Sequence, residues 1–184
     1  MSDRLKSYIS IMSMTRVIAV LAGLYLVNQL IIITIVSPLG HDMLGLQTTL
    51  SQETFRSILQ SWERSGLMAV YLRHFYPDFP HPVIYSLLLS ALLSRGIVMT
   101  GNGRGLRYLV LLPFAAGLLD IIENFIHLYL IADPARIGRG IVIFSGICTN
   151  AKWTLGFGCL IIALVMILRA YLKQRGADAA GGKA

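Results

Sequence analysis

Hydrophobic positions along the chain gather into four long runs, with one extended polar stretch between the first and the second. Val17 to Val36 is apolar throughout apart from Asn28, Gln29 and Thr34, and it ends at Ser37-Pro38. The second run goes from Val83 to about Met99, the third from Leu106 to Ala132 and the fourth from about Ile141 to Leu168. Runs of this kind approach or exceed the roughly 18–20 residues that cross a hydrocarbon layer about 30 Å thick. They predict an all-α chain, an integral membrane four-helix bundle, with spans at 17–37, 82–99, 106–132 and 140–168 in a single domain covering 1–184. A basic start ahead of an apolar run resembles a signal peptide, but the run is long and no A-x-A-like cleavage site follows it, so a retained helix is expected.

The polar stretch 38–81 is predicted to lie outside the bundle as one outer loop. Thr49-x-x-Gln52, and Ser51 followed by Glu53, read as helix starts. Phe55, Ile58, Leu59 and Trp62 then recur at helical spacing, with Glu53, Arg56, Gln60, Glu63 and Arg64 covering the rest. The pattern predicts an amphipathic interfacial helix, or a roof over the bundle. Pro77, Pro80 and Pro82 are expected to forbid a continuous helix across 71–82. That segment also holds His74, Asp78 and His81, whose spacing fits no standard metal site, beside rings that an aromatic belt explains. The tail 174–184 is expected to be disordered.

Composition agrees with a membrane setting. The residues are 55% hydrophobic and 14% charged, against about 25% charged in soluble domains. The net charge of +7 invites a nucleic-acid reading, but its distribution argues against one. Arg4, Lys6 and Arg16, then Arg95, Arg104 and Arg107, then Arg169, Lys173, Arg175 and Lys183 occupy the N-terminus, the middle loop and the C-terminus. A four-span chain puts all three on one side, and the positive-inside rule makes that side cytoplasmic in a cell-membrane protein. Cys148 and Cys159 share a helix face about 16 Å apart, too far to bridge, so free thiols are expected. The string Gly101-x-Gly-x-Gly105 follows no strand and reads as a turn between helices.

The third run carries the candidate chemistry. Asp120, Glu123, Asn124 and His127 fall within roughly a 100° arc of one helix face, and Pro113 and Gly117 share that arc. Ionisable side chains at membrane depth are costly and must face protein or water, which makes such a stripe a functional-site hypothesis. Depth locates a partner. Asp120 lies twelve residues inward from Ala132, and Lys152 twelve residues inward from Gly140. Both therefore sit roughly 18 Å from the outer helix ends, and antiparallel neighbours joined by a short turn would bring them together. Glu123 lies at the level of Asn28, and His127 one turn further out, towards His74, Asp78 and His81. With Lys152 charged, Asp120 and Glu123 leave one negative charge over, so the cluster is expected to hold a mobile proton.

Three readings stay open at this point: a polar staple that only binds the helices together; a site for a lipid-like or other hydrophobic molecule; and proton or ion transport, for which so small a bundle would form a homo-oligomer. The second reading gives Asp120, Glu123, His127 and Lys152 to acid–base chemistry, and Asn28, Asp78, Tyr85 and Asn124 to binding. Membrane lipids are the expected partners, with no nucleic acid, metal or cofactor. Glu123 and His127 at i, i+4 could share a metal, but the di-iron pattern needs Glu-x-x-His on two helices, and only one such helix exists.

The strings Asp78-Phe-Pro-His-Pro-Val-Ile-Tyr85 and Pro113-Phe-Ala-Ala-Gly-Leu-Leu-Asp-Ile-Ile-Glu-Asn124 together resemble an uncharacterised group of multi-pass membrane proteins. Its pattern is D-x-x-F-P-x-x-Y before the second span and P-x-x-A-x-x-D-x-x-E-N in the third. Here His81 replaces Phe and Gly117 replaces Ala, and Pro113 stands one residue before the pattern's Pro. The resemblance implies several spans and no particular activity. The architecture is also similar to that of four-helix membrane sterol isomerases, which set intramembrane carboxylates around a hydrophobic substrate; that analogy fixes no residue.

Overall fold

The long apolar runs become long helices because a chain without water to bond must satisfy its own backbone, and the helix does so within one segment. The computed structural model describes residues 3–101 and 105–181, with side chains as far as residue 176. The described residues form eight α-helices and no strand: α1 Asp3–Met12, α2 Thr15–Val36, α3 Asp42–Thr48, α4 Gln52–Arg64, α5 Met68–Asp78, α6 His81–Thr100, α7 Leu112–Ala132 and α8 Arg139–Gly181. Four segments, Thr15–Leu39, His81–Thr100, Leu106–Ala132 and Arg139–Gly176, are long and apolar enough to cross a membrane, one for each predicted run.

Helix ends follow local chemistry. Ser51 caps α4 as expected, its hydroxyl accepting from the Thr54 amide at 3.2 Å. Pro113 occupies the first turn of α7, where its missing N–H costs nothing, so Leu106–Leu111 before it winds as a tighter 3-10 turn rather than as the start of one unbroken span. The prolines at 77–82 interrupt the helix as expected, though over two residues only. Pro77 sits in the last turn of α5 and Pro82 in the first turn of α6, leaving a break only at Phe79-Pro80. Gly101 ends α6 in a left-handed conformation, φ +62°, that suits glycine. The rest of the glycine string, 102–104, lies outside the described residues, as does Lys183. Residues 174–181, expected to lack structure, continue α8 as helix, in keeping with the helix propensity of their Gln, Arg and Ala.

Packing is uneven. Helices α6, α7 and α8 pack on one another along their lengths, and α2 rests on α5 and α6 while leaving α8 nearly untouched. Only Asn28 and Ile32 of α2 are buried. Close approach within the trio depends on small residues: a Cβ on Gly96 would lie 2.8 Å from Met166 Cβ, and one on Gly117 would lie 3.0 Å from the Pro82 carbonyl oxygen. The space that Gly117 leaves on the polar arc is therefore filled by α6, not by a ligand.

One apolar core gathers Phe55, Leu59 and Trp62 of α4 with Tyr71 and Phe75 of α5, Leu130 of α7 and Val142 of α8. Another, at the opposite end, gathers Ile9 of α1 with Leu93, Ile97, Cys159, Ala163 and Met166. Both cysteines are free and buried.

Candidate functional site

The buried face of α7 reads Pro113, Ala116, Gly117, Asp120, Glu123, Asn124, His127 and Leu130, a helical stripe that includes the predicted polar arc. Lys152 reaches it from α8. Its ammonium donates to Asp120 Oδ1 at 2.5 Å and lies 2.7 Å from Glu123 Oε2, the second contact being an ion pair without hydrogen-bond alignment. Only 5% of Asp120, none of Glu123 and 8% of Lys152 is exposed, so one cation is shared by two buried carboxylates. Thr149, whose hydroxyl donates to the Ser145 carbonyl at 3.2 Å, borders Glu123 on the other side.

Around this centre the amides act as clamps. Asn124 donates from Nδ2 to Asp78 Oδ2 at 2.7 Å, tying α7 to the last turn of α5. Asn28 donates to the Pro77 carbonyl at 2.8 Å and accepts at Oδ1 from His81 Nδ1 at 2.7 Å, tying α2 to the α5–α6 junction. The His81 ring lies between those of Tyr25 and Tyr85, at 5.4 and 5.3 Å. Tyr85 brings its hydroxyl within reach of the Asp120 carboxylate.

Towards α4, the arc ends in a sealed aromatic cluster. Tyr71 bonds His127 Nδ1 through its hydroxyl at 2.6 Å, with the Trp62 ring tilted against Tyr71 at 4.7 Å and Phe55 edge-on to His127 at 5.4 Å. Burial, and then the charges of Glu123 and Asp78, push the Tyr71 phenol well above its ordinary range. The phenol therefore keeps its proton and donates it, and His127 Nε2 has no partner among the described residues. His74 donates from Nδ1 to the Tyr71 carbonyl, and burial lowers its pKa. His74 and His81 are thus committed to different partners. Among the described residues no group of three or more His, Cys, Asp or Glu side chains is arranged to hold a metal ion.

A cavity of about 610 Å³ opens beside the cluster, in the gap between α2 and α8. Asp78, His81, Tyr85, Asp120 and Lys152 line one end of it. The remainder is largely apolar, with Ile32 and Ile33 from α2, Leu88, Leu89 and Leu92 from α6, and Trp153, Phe157 and Leu160 from α8. Helix α3 contributes Met43, Leu44 and Gln47 to the lining; α4, for which a roof was the alternative to an interfacial helix, contributes no residue to it.

Of the residues singled out in the sequence, Asp78, Tyr85, Asp120 and Lys152 line the cavity, whereas Asn28, Glu123, Asn124 and His127 stand behind them. Tyr25, Trp153 and Phe157 did not stand out. Their signal was present as spacing: Tyr25, Gln29, Ile32 and Val36 on α2, His81, Tyr85, Leu88 and Leu92 on α6, and Trp153, Gly156, Phe157 and Leu160 on α8 are helical stripes. An apolar stripe that faces lipid looks the same.

Fold and site together define an all-α protein with four membrane-length helices and a shared Asp–Lys–Glu cluster at the polar end of a side-opening cavity. Compared with known protein families, curated proteins and solved structures, the chain matches none.

Proposed function

We propose that the four long helices cross the cell membrane as a bundle, both termini cytoplasmic, and that the cavity takes up an amphipathic, lipid-like molecule from the bilayer. The carrying observation is the cavity itself, with Asp120 and Lys152 at one end and aliphatic and aromatic walls along the rest. Ligand pockets of about 300–1,000 Å³ with apolar walls and few convergent polar groups are typical small-molecule sites. The gap between α2 and α8 gives it a side entrance that faces acyl chains in a spanning bundle. Basic residues near both termini and beside the α6–α7 turn support the orientation. Helix α4, apolar at Phe55, Leu59 and Trp62 and polar elsewhere, would lie at the outer surface.

Where the bound molecule is also transformed, Asp120 and Lys152 would touch it, and Glu123 would serve as the proton carrier behind Lys152. A second reading is favoured by one specific observation. Lys152 joins α8 to two residues of α7, and Glu123 has no access to the cavity, as a purely structural staple would have it.

Native mass spectrometry with lipid extraction, on protein purified in mild detergent, tests the proposal. A Cβ on Gly156 would meet nothing within 4 Å, and this residue lines the cavity one turn from Lys152, so Gly156→Phe fills the space while leaving every residue of the cluster in place. The wild type should retain a lipid-like mass that the variant loses at unchanged thermal stability. Retention by neither, or equally by both, leaves only the staple.

A further inference from the structure

The charge at the polar end of the cavity says which kind of head group belongs there. Asp78 and Asp120 both line it, and among the described residues Lys152 is the only Lys or Arg that does. That ammonium is already held by Asp120 and by Glu123 behind it. Three carboxylates against one ammonium, with one mobile proton held in the cluster, leave one negative charge over. Asp78 receives a hydrogen bond from the Asn124 amide, which supplies no charge.

The walls add a second attraction of the same sign. Tyr25 and Tyr85 present their rings on one side, and Trp153 on the other stacks with Phe157 at 5.4 Å between centroids. Aromatic faces attract cations, and more strongly where water is excluded. An anionic phosphate or carboxylate head would instead meet Asp78 and Asp120, with no lining cation beyond the one already engaged.

We infer that the amphipathic molecule is a lipophilic ammonium: a long-chain or ring-bearing amine, primary or N-methylated, whose head sits between Asp78 and Asp120 and whose tail runs along Leu88 and Leu92. This rests on the cavity being a ligand site as proposed above, and deepens it by fixing the ligand's charge.

Three probes with one tail test it: hexadecylamine, hexadecanol and hexadecanoate, titrated near neutral pH into protein in neutral-detergent micelles. Tryptophan fluorescence reports through Trp153 in the cavity wall. Gly156→Phe, titrated in parallel, gives the non-specific micellar signal to subtract. The amine should bind about tenfold tighter than the alcohol, with the carboxylate weakest, and Asp78→Asn should remove most of the amine's advantage while leaving the alcohol's affinity nearly unchanged. An alcohol or carboxylate that binds the wild type as tightly as the amine overturns the inference and leaves the cavity reading standing. Should none of the three give a saturable signal that Gly156→Phe abolishes, the cavity reading falls and the inference with it.

Discussion

Replacing Lys152 with Met should be far more damaging than replacing Asp120 with Asn, although each substitution cuts the same 2.5 Å contact. Met nearly matches the lysine stem in shape and removes only the charge. It leaves Asp120 and Glu123, 5% and 0% exposed, as neighbouring carboxylates with no cation between them. Stranding a buried charge by deleting its partner costs about 3–5 kcal/mol. In Asp120→Asn, by contrast, Lys152 keeps Glu123 at 2.7 Å. One charge-assisted hydrogen bond is lost, but the repulsion between the two carboxylates goes with it, so about 1–2 kcal/mol is expected. At about 2–4 °C per kcal/mol for a chain of this size, Lys152→Met should lower Tm by about 6–20 °C and Asp120→Asn by about 2–8 °C. Thermal unfolding in mild detergent, followed by circular dichroism with size-exclusion recovery as a check on reversibility, gives the comparison directly. Equal losses in the two variants, or a larger loss in Asp120→Asn, would refute the idea that Lys152 is the shared centre and would point to a simple Asp120–Lys152 pair with Glu123 a bystander.

Two further expectations concern packing and protonation. Gly117→Ala places a methyl 3.0 Å from the Pro82 carbonyl oxygen and nearer still to Ser86 Oγ, which is itself bonded to the Pro113 carbonyl at 2.8 Å. Overpacking of this kind costs about 1–3 kcal/mol, which should outweigh the roughly 1 kcal/mol of helix propensity gained. Gly23→Ala, with nothing within 4 Å, should be neutral or stabilising, and matching melting temperatures for the two would contradict the close α6–α7 approach. His74 should make the fold acid-sensitive. Its folded pKa lies below the ordinary value because burial outweighs its bond to the Tyr71 carbonyl and the charge of Asp78. The unfolded chain then binds more protons, so His74's contribution is complete above about pH 6.5 and is lost as pH falls through the folded value. His74→Phe should flatten the acid limb of a stability–pH curve, and an unchanged limb would mean that His74 does not titrate on unfolding.

The polar arc of α7 and the meeting of Asp120 with Lys152 were legible in the sequence, because helical period and rise fix both angle and depth once two helices are joined by a short turn. The same geometry held the second contact too. Glu123 is three residues from Asp120, hence on the same face, and a lysine long enough to reach one can lie between them. What the sequence could not show depends on pairs far apart in the chain. Asn124 meets Asp78 across 46 residues, and Asn28 meets His81 across 53. Helix α3 was invisible for a different reason. Its seven residues, with Gly45 among them, are too short to be stable alone, and they hold helical form by packing against α8 and α4.

The cavity was least legible of all, because it arises from how α2 is attached rather than from any residue in it. Helix α2 is held from two places. Towards the N-terminus, α1 docks on α6, with Ile9 in the core of Leu93 and Ile97 and the Tyr8 hydroxyl 2.7 Å from Ser90 Oγ. Midway along α2, Asn28 bonds the α5–α6 junction at two points. Along its length α2 offers α8 almost nothing, and Val20, Leu24, Val27 and Leu30 remain more than half exposed. The trio of α6, α7 and α8 holds its polar cluster without help from α2. Movement of α2 away from α8 would break few contacts between those two helices and widen the gap from which Asp120 and Lys152 are reached. In the proposed site the charged centre held by the trio would set which head group is accepted, and the sparse packing of α2 on α8 would let a tail enter without unfolding the rest.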